Sequence, residues 1–207
     1  MRERGTTLDC SAHARNGQNG FSLIEMMVVI TVMMIIAAMA IIQVQSSLPQ
    51  NRANAAMAEL KSALRQARET AVSDRRTVQV QFFTGAPCQA TAACLVLTRL
   101  DPPANVPTVI LTLPLQPTVN FMQFAGELDT PDGYGSSAPI VFGGVANGPP
   151  TMNFQSDGSF TDGTGNPING TVFLGITNAP LSARGVTILG GTGRVHTYRW
   201  TGTGWIY

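Results

Sequence analysis

Gly20-Phe21-Ser22-Leu23-Ile24-Glu25 stands directly before an uncharged run, Met26 to Ile42, whose only polar residue is Thr31. A helix from Phe21 to Ile42 would be about 33 Å long at ~1.5 Å per residue, against a bilayer hydrocarbon core of about 30 Å. One crossing is therefore geometrically comfortable. Residues 1–20 are polar and contain Arg2, Arg4 and Arg15. A basic leader on the near side puts that end in the cytoplasm and the rest of the chain outside.

Three readings compete for this stretch. One is a plain membrane anchor. Another is a secretory signal peptide with a small-residue site at Ala38-Met39-Ala40, which would release a secreted β domain. The third is a leader cut before the apolar run. Glu25 discriminates among them. A carboxylate in an insertion helix costs ~2.5 kcal/mol or more at the centre, less near an end, and neither an anchor nor a signal peptide needs it. A filament subunit does. Cleavage after Gly20 would give Phe21 a free α-amino group, with an ordinary pKa of about 7.7–8.0. Glu25 would lie one turn along, where its carboxylate can pair with the ammonium of a neighbouring subunit and set the axial register.

The combination resembles the processing motif of type IV prepilins and pseudopilins: a Gly before the cut, an aromatic residue after it, and a glutamate fifth in the mature chain. The resemblance implies a prepilin peptidase that cuts after Gly20 and N-methylates Phe21. It implies residence in the bacterial inner membrane as a single-pass protein with its C-terminal domain in the periplasm. It also implies other pilins or pseudopilins as assembly partners, in a type II secretion system or a type IV pilus.

Pro49 interrupts the helical pattern, and a kink or break is expected there. Beyond it Ala53, Met57, Leu60, Leu64, Ala67 and Ala71 form one apolar stripe on a helix from about Asn51 to Ser73. Charged residues occupy the other faces. After Arg75-Arg76 the period changes. Short runs read as strands at 77–83, 94–100, 108–113, 119–124, 139–142, 151–154, 171–176, 185–189, 194–200 and 204–207. Gly and Pro clusters punctuate them. The expected fold is α+β: a long N-terminal helix, half membrane and half amphipathic, packed on an antiparallel β-sheet domain. The organisation is a leader at 1–20, a membrane or filament-core helix at 21–48, an amphipathic helix at 49–76 and a periplasmic β domain at 77–207. The stretch 101–150, rich in Pro and Gly, is expected to hold mobile loops.

Composition agrees with this reading. Charged residues make up 12% of 207, with 21 Gly and 13 Pro, which suits a loop-rich β domain. Thirteen Lys and Arg stand against twelve Asp and Glu. Removal of residues 1–20 takes three arginines, Glu3 and Asp9 with it, so the mature chain carries ten of each and no net charge. That removal also takes Cys10. Cys88 and Cys94 remain, closing a short loop between strand-like runs, and an oxidising periplasm favours a disulfide there over two free thiols.

Two further stretches extend the resemblance. Phe154-Gln155-Ser156-Asp157-Gly158 and the run from Arg184 to Val195 resemble the "F-x-x-D-G" turn and the "R-x-I…G-R-V" closing hairpin of the minor pseudopilin H and FimT group. Some FimT-type minor pilins take part in DNA uptake through a basic "G-R-x-R" stretch. Here Gly193-Arg194-Val195-His196 has histidine in place of the second arginine. Arg184, Arg194 and Arg199, beside Tyr198, Trp200, Trp205 and Tyr207, are candidate contacts to nucleic acid. An edge hairpin with solvated arginines and core aromatics explains the same residues, and that is the favoured reading. The loop Asp157–Asn166 offers oxygen ligands, but Asp-Gly turns are mostly turns and the spacing is not that of an EF-hand. Asn169-Gly170-Thr171 fits a glycosylation sequon by composition alone. The histidines are His13 and His196, two cysteines make no zinc set, and no phosphate-binding loop occurs. No cofactor or metal is expected, and a role without catalysis is.

Overall fold

The computed structural model describes residues 20–88 and 93–207, with side chains for all of these except 40–46. The leader read at 1–20, apart from Gly20, lies outside the described residues, as does the middle of the Cys88–Cys94 loop. The chain divides into two units between Gln43 and Val44.

Among the described residues one helix, α1 (Leu23–Asp74), is followed by twelve strands. Pro49 lies inside α1, so of the kink or break expected there, a break does not occur. A proline inside a helix costs about 3 kcal/mol through one lost donor and a steric clash. The turns that follow offset it by burial: Ala53, Ala56, Leu60, Ala63, Leu64, Ala67 and Ala71 are all buried. Six of these belong to the same core cluster as strand residues of both sheets, and Met57 packs against it. The stripe read from spacing is thus the face that meets the sheets, widened by Ala56 and Ala63.

The strands are β1 (Val78–Thr84), β2 (Ala93–Asp101), β3 (Val106–Pro114), β4 (Val119–Phe121), β5 (Ile140–Phe142), β6 (Val145–Ala146), β7 (Met152–Phe154), β8 (Phe160–Asp162), β9 (Gly170–Ile176), β10 (Ala179–Leu189), β11 (Arg194–Trp200) and β12 (Trp205–Ile206). Each of the ten expected runs overlaps one of them; β6 and β8 were not read. All pairings are antiparallel. One sheet runs β3-β2-β1-β7-β8 and the other β12-β11-β10-β9-β5-β6, with β4 also on β9. The architecture is α+β with an antiparallel β domain.

A chain of rings ties the sheets together. Phe82 meets Phe121 at 5.5 Å and Phe142 at 5.9 Å, Phe142 meets Phe160 at 5.3 Å, and Phe160 meets Phe154 at 4.8 Å. Gly170 opens β9 because any Cβ there would collide with the ring of Phe142. At the outer edge, β3 carries Pro107 and Pro114 and a register shift opposite Leu97 and Thr98. Prolines and bulges of this kind blunt an edge strand against pairing with another chain. Cys88 and Cys94 form a disulfide with Cα atoms 6.0 Å apart.

Candidate functional site

Two regions carry the residues singled out by sequence. In the first unit, Gly20, Phe21 and Ser22 precede the helix, and the Met26 N–H donates to the Ser22 carbonyl at 3.1 Å to start it. Gly20 has open space where a Cβ would lie, and Phe21 is 75% exposed. The Gly20–Phe21 bond is therefore in accessible, non-helical chain, the form a peptidase needs. Glu25 occupies the first turn of α1, where the helix macrodipole favours a carboxylate. Among the described residues it makes no ion pair. The apolar side chains from Leu23 to Met39 are exposed all round. Helices apolar on every side are those buried in larger assemblies or in membranes. Among the described residues no helix is long and apolar enough to cross a membrane. The apolar run of the sequence continues past Met39 into side chains outside the description.

In the second unit, β10 and β11 form the closing hairpin. Two of its three candidate arginines, Arg184 and Arg199, stand opposite each other in register, while Arg194 lies at the other end of β11. Arg184 is fully buried. Its guanidinium donates to Asn54 Oδ1 at 2.7 Å, to the Ala183 and Leu181 carbonyls at 2.7 and 3.0 Å, and to the Gln50 carbonyl at 3.4 Å. It is thus a latch between α1 and β10, with its guanidinium turned away from solvent. Burial, and then the nearby charge of Arg199, push its pKa down to about 10. Arg194 and Arg199 are exposed at the two ends of β11. Five steps along the strand separate them by about 17 Å and turn their side chains to opposite faces.

Arg194 instead shares a cleft of about 260 Å³ with Arg65, Arg68 and Glu69 of α1. The two stretches that extended the resemblance meet here. Arg68 Nε donates to the Gly158 carbonyl at 3.3 Å. Gly193, at φ +62°, packs so closely that a Cβ would collide with that same carbonyl oxygen. Asp157 Oδ1 accepts from the Ser159 N–H and hydroxyl at 2.9 and 2.6 Å, and Asp162 Oδ1 from the Thr164 and Asn166 N–H groups at 2.8 and 3.0 Å. Those carboxylates serve their own turns, and no group of three metal-ligating side chains occurs among the described residues.

The stretch 101–150 holds β3 to β6, and its loop 122–139 is pinned to the other face of the hairpin. Asp132 Oδ2 accepts from the Thr187 hydroxyl and lies 3.3 Å from His196 Nδ1; Trp205 Nε1 donates to the Leu128 carbonyl at 2.7 Å. Sequence reasoning missed this clamp, because nothing near Asp132 in the chain points to residues 55 and 64 positions away. In the same loop Glu127 takes the Phe124 N–H at 3.0 Å with one oxygen, while its other oxygen is buried without a partner. Burial pushes its pKa up to about 7. A carboxyl whose folded pKa exceeds its unfolded value contributes stability below the unfolded pKa and loses it as pH rises through the folded one. The domain should therefore lose on the order of 2 kcal/mol between about pH 4.5 and pH 7, after discounting for partial solvation. Glu127→Gln should flatten that segment of the melting-temperature profile, whereas parallel profiles for both chains would show Glu127 to be an ordinary surface carboxylate.

Comparison with known proteins gives one match. The family described as the prokaryotic N-terminal methylation motif covers residues 15–41, which spans Gly20, Phe21 and Glu25. No curated protein and no solved structure matches the chain.

Proposed function

We propose that this protein is a minor pilin-like structural subunit of a type II secretion pseudopilus or a type IV pilus, without catalysis of its own. The observation that carries the reading is the coincidence of three features. The methylation motif covers residues 15–41. The scissile Gly20–Phe21 bond is exposed ahead of a helix. A single carboxylate, Glu25, sits in the first turn of a helix whose apolar side chains are unpaired within their own unit. The motif implies processing by a prepilin peptidase and assembly with other pilins. In this reading the helix first anchors the subunit in the bacterial inner membrane with the β domain in the periplasm. It then packs among the helices of a filament core, where the exposed apolar faces are buried and Glu25 meets a neighbouring N-terminal ammonium.

Membership of the pseudopilin H and FimT group is part of this proposal. It is supported by the meeting of the Phe154–Gly158 turn and the Gly193-Arg194-Val195 stretch around Arg68. A DNA-uptake minor pilin is the second reading, favoured only by the cleft that Arg194 shares with Arg65 and Arg68. The absence of net charge on the mature chain and the burial of Arg184 weigh against it. The test is fractionation of the native host. The processed chain should be found with sheared surface filaments or with a membrane-bound pseudopilus complex, together with other processed pilins. A chain found only free in the culture medium would contradict the proposal.

A further inference from the structure

β11 is covered at the edge of its sheet for only part of its length. β12 pairs with Arg199 and Trp200 alone. Among the described residues, Arg194–Tyr198 therefore have a strand partner on the β10 side only. In an antiparallel strand every second residue turns both its N–H and its C=O to the same edge, and here those groups face no strand. The β3 edge is blunted by prolines and a register shift, whereas this one has neither. Cations stand beside it instead, all within the second unit. Lys61 Nζ donates to Thr197 Oγ1 at 3.4 Å. Arg65 and Arg68 follow about one and two turns further along α1, and line the cleft of about 260 Å³ with Arg194 and Val195. Arg65, Arg68 and Arg194 are exposed, and among the described residues none of these cations has a carboxylate within ion-pair distance.

We propose that this edge takes an extended acidic segment of a neighbouring subunit, which adds to β11 as a strand and sets its carboxylates on the cations of α1. The proposal rests on the filament reading above. An open edge recruits a strand through main-chain hydrogen bonds, and side chains select which strand. A row of cations repels a basic segment, so the occupant must bring the opposite charge. The spacing agrees. Lys61 to Arg68 is about 10 Å of helix, and carboxylates on alternate residues of a strand repeat at about 7 Å. Nucleic acid fits less well. None of the residues that line the cleft is aromatic, so no ring is there for a base to stack on, and Glu69 on its wall would repel a phosphate. A protein segment can meet Glu69 with a basic residue of its own. The adjoining cleft of about 290 Å³ carries Val72, 45% exposed, beside Arg68 and Glu69, and gives such a segment an apolar contact.

The experiment uses the processed full chain in detergent. The probe is a short fluorescent peptide that alternates glutamate with valine and is blocked at both ends; its control has glutamine for glutamate. Anisotropy reads binding at low and high salt, and amide hydrogen exchange reads the segment Arg194–Trp200. The acidic peptide should bind, weaken as salt rises, and slow exchange in that segment, while the control should show no salt-dependent binding. Arg65→Gln with Arg194→Gln should weaken binding about fivefold, the effect of two exposed ion pairs, and Arg65→Lys with Arg194→Lys should restore most of it. Both side chains are exposed, so these variants should unfold at the same urea concentration as the parent. No binding at low salt, or no effect of the double substitution, would overturn the proposal. So would binding that leaves exchange in Arg194–Trp200 unchanged, because the peptide would then not pair as a strand. A short DNA duplex that displaces the peptide and binds more tightly would overturn it in favour of nucleic acid. Every readout is taken on the isolated subunit, so failure here leaves the filament reading standing. That reading fails separately, if fractionation finds the chain only free in the medium.

Discussion

Replacing Arg184 by alanine is expected to lower the unfolding free energy of the β domain by about 3 kcal/mol. Two effects oppose each other. The substitution relieves a buried cation and its repulsion from Arg199. It also strands Asn54 Oδ1 and three main-chain carbonyls and leaves a void the size of the side chain. The Ala183 carbonyl is buried and the other three bonds are part-buried; a buried acceptor left without a donor costs about 1–3 kcal/mol, and with the void this outweighs the relief. Arg184→Met separates the terms. It keeps the stem volume and removes the charge, and should recover roughly 1 kcal/mol of the loss through packing. Asn54→Ala should cost about 1–2 kcal/mol, and less again when Arg184 is already gone. Urea titration of the full chain in detergent, followed by the emission of Trp200 and Trp205, reads all four chains. If Arg184→Ala unfolds at the same urea concentration as the parent, the latch contributes nothing and α1 is held by its apolar stripe alone.

Glu25→Ala should leave processing intact and cut incorporation into filaments by at least about tenfold. Breaking a buried ion pair by removing one partner costs about 3–5 kcal/mol, and in a filament core the stranded partner is the ammonium of Phe21 in the next subunit. In the single chain Glu25 is exposed and makes no ion pair among the described residues, so its removal should not change the stability of the subunit itself. Glu25→Asp, one methylene shorter, should retain partial incorporation. The measurement is the ratio of processed chain in the sheared filament fraction to that in the membrane fraction. Normal incorporation of Glu25→Ala would remove the register argument.

The fold was legible wherever one local pattern decided it. The alternation of four- and three-residue steps from Ala53 to Ala71 gave the buried face of α1 because a helix repeats every 3.6 residues. The β-branched and aromatic runs gave the strands for the matching reason at period two. What stayed hidden depended on contacts between distant parts of the chain. Pro49 looks like a stop in sequence, and only the burial of Ala53 and Ala56 shows why the helix continues through it. β6 and β8 are two and three residues long, too short for any period to register. Arg184 reads as a surface cation in any composition-based argument; its burial follows from Asn54 and Gln50 lying opposite it, 130 and 134 positions earlier. The clamp of Asp132 on Thr187 and His196 is another such case, and it pins a loop region expected to be mobile. The processing segment is the reverse. Its meaning lies in a contiguous motif, and the single-chain fold adds only that the bond is accessible.

The central claim is that this chain is cut after Gly20 and works from Phe21 onward. Mass spectrometry of the N-terminal peptide, on protein recovered from the membrane fraction of its native host, tests it most directly. The expected peptide begins at Phe21 with one methyl group on its α-amine. A peptide that begins at Met1, or one that begins after Ala40, would contradict the account.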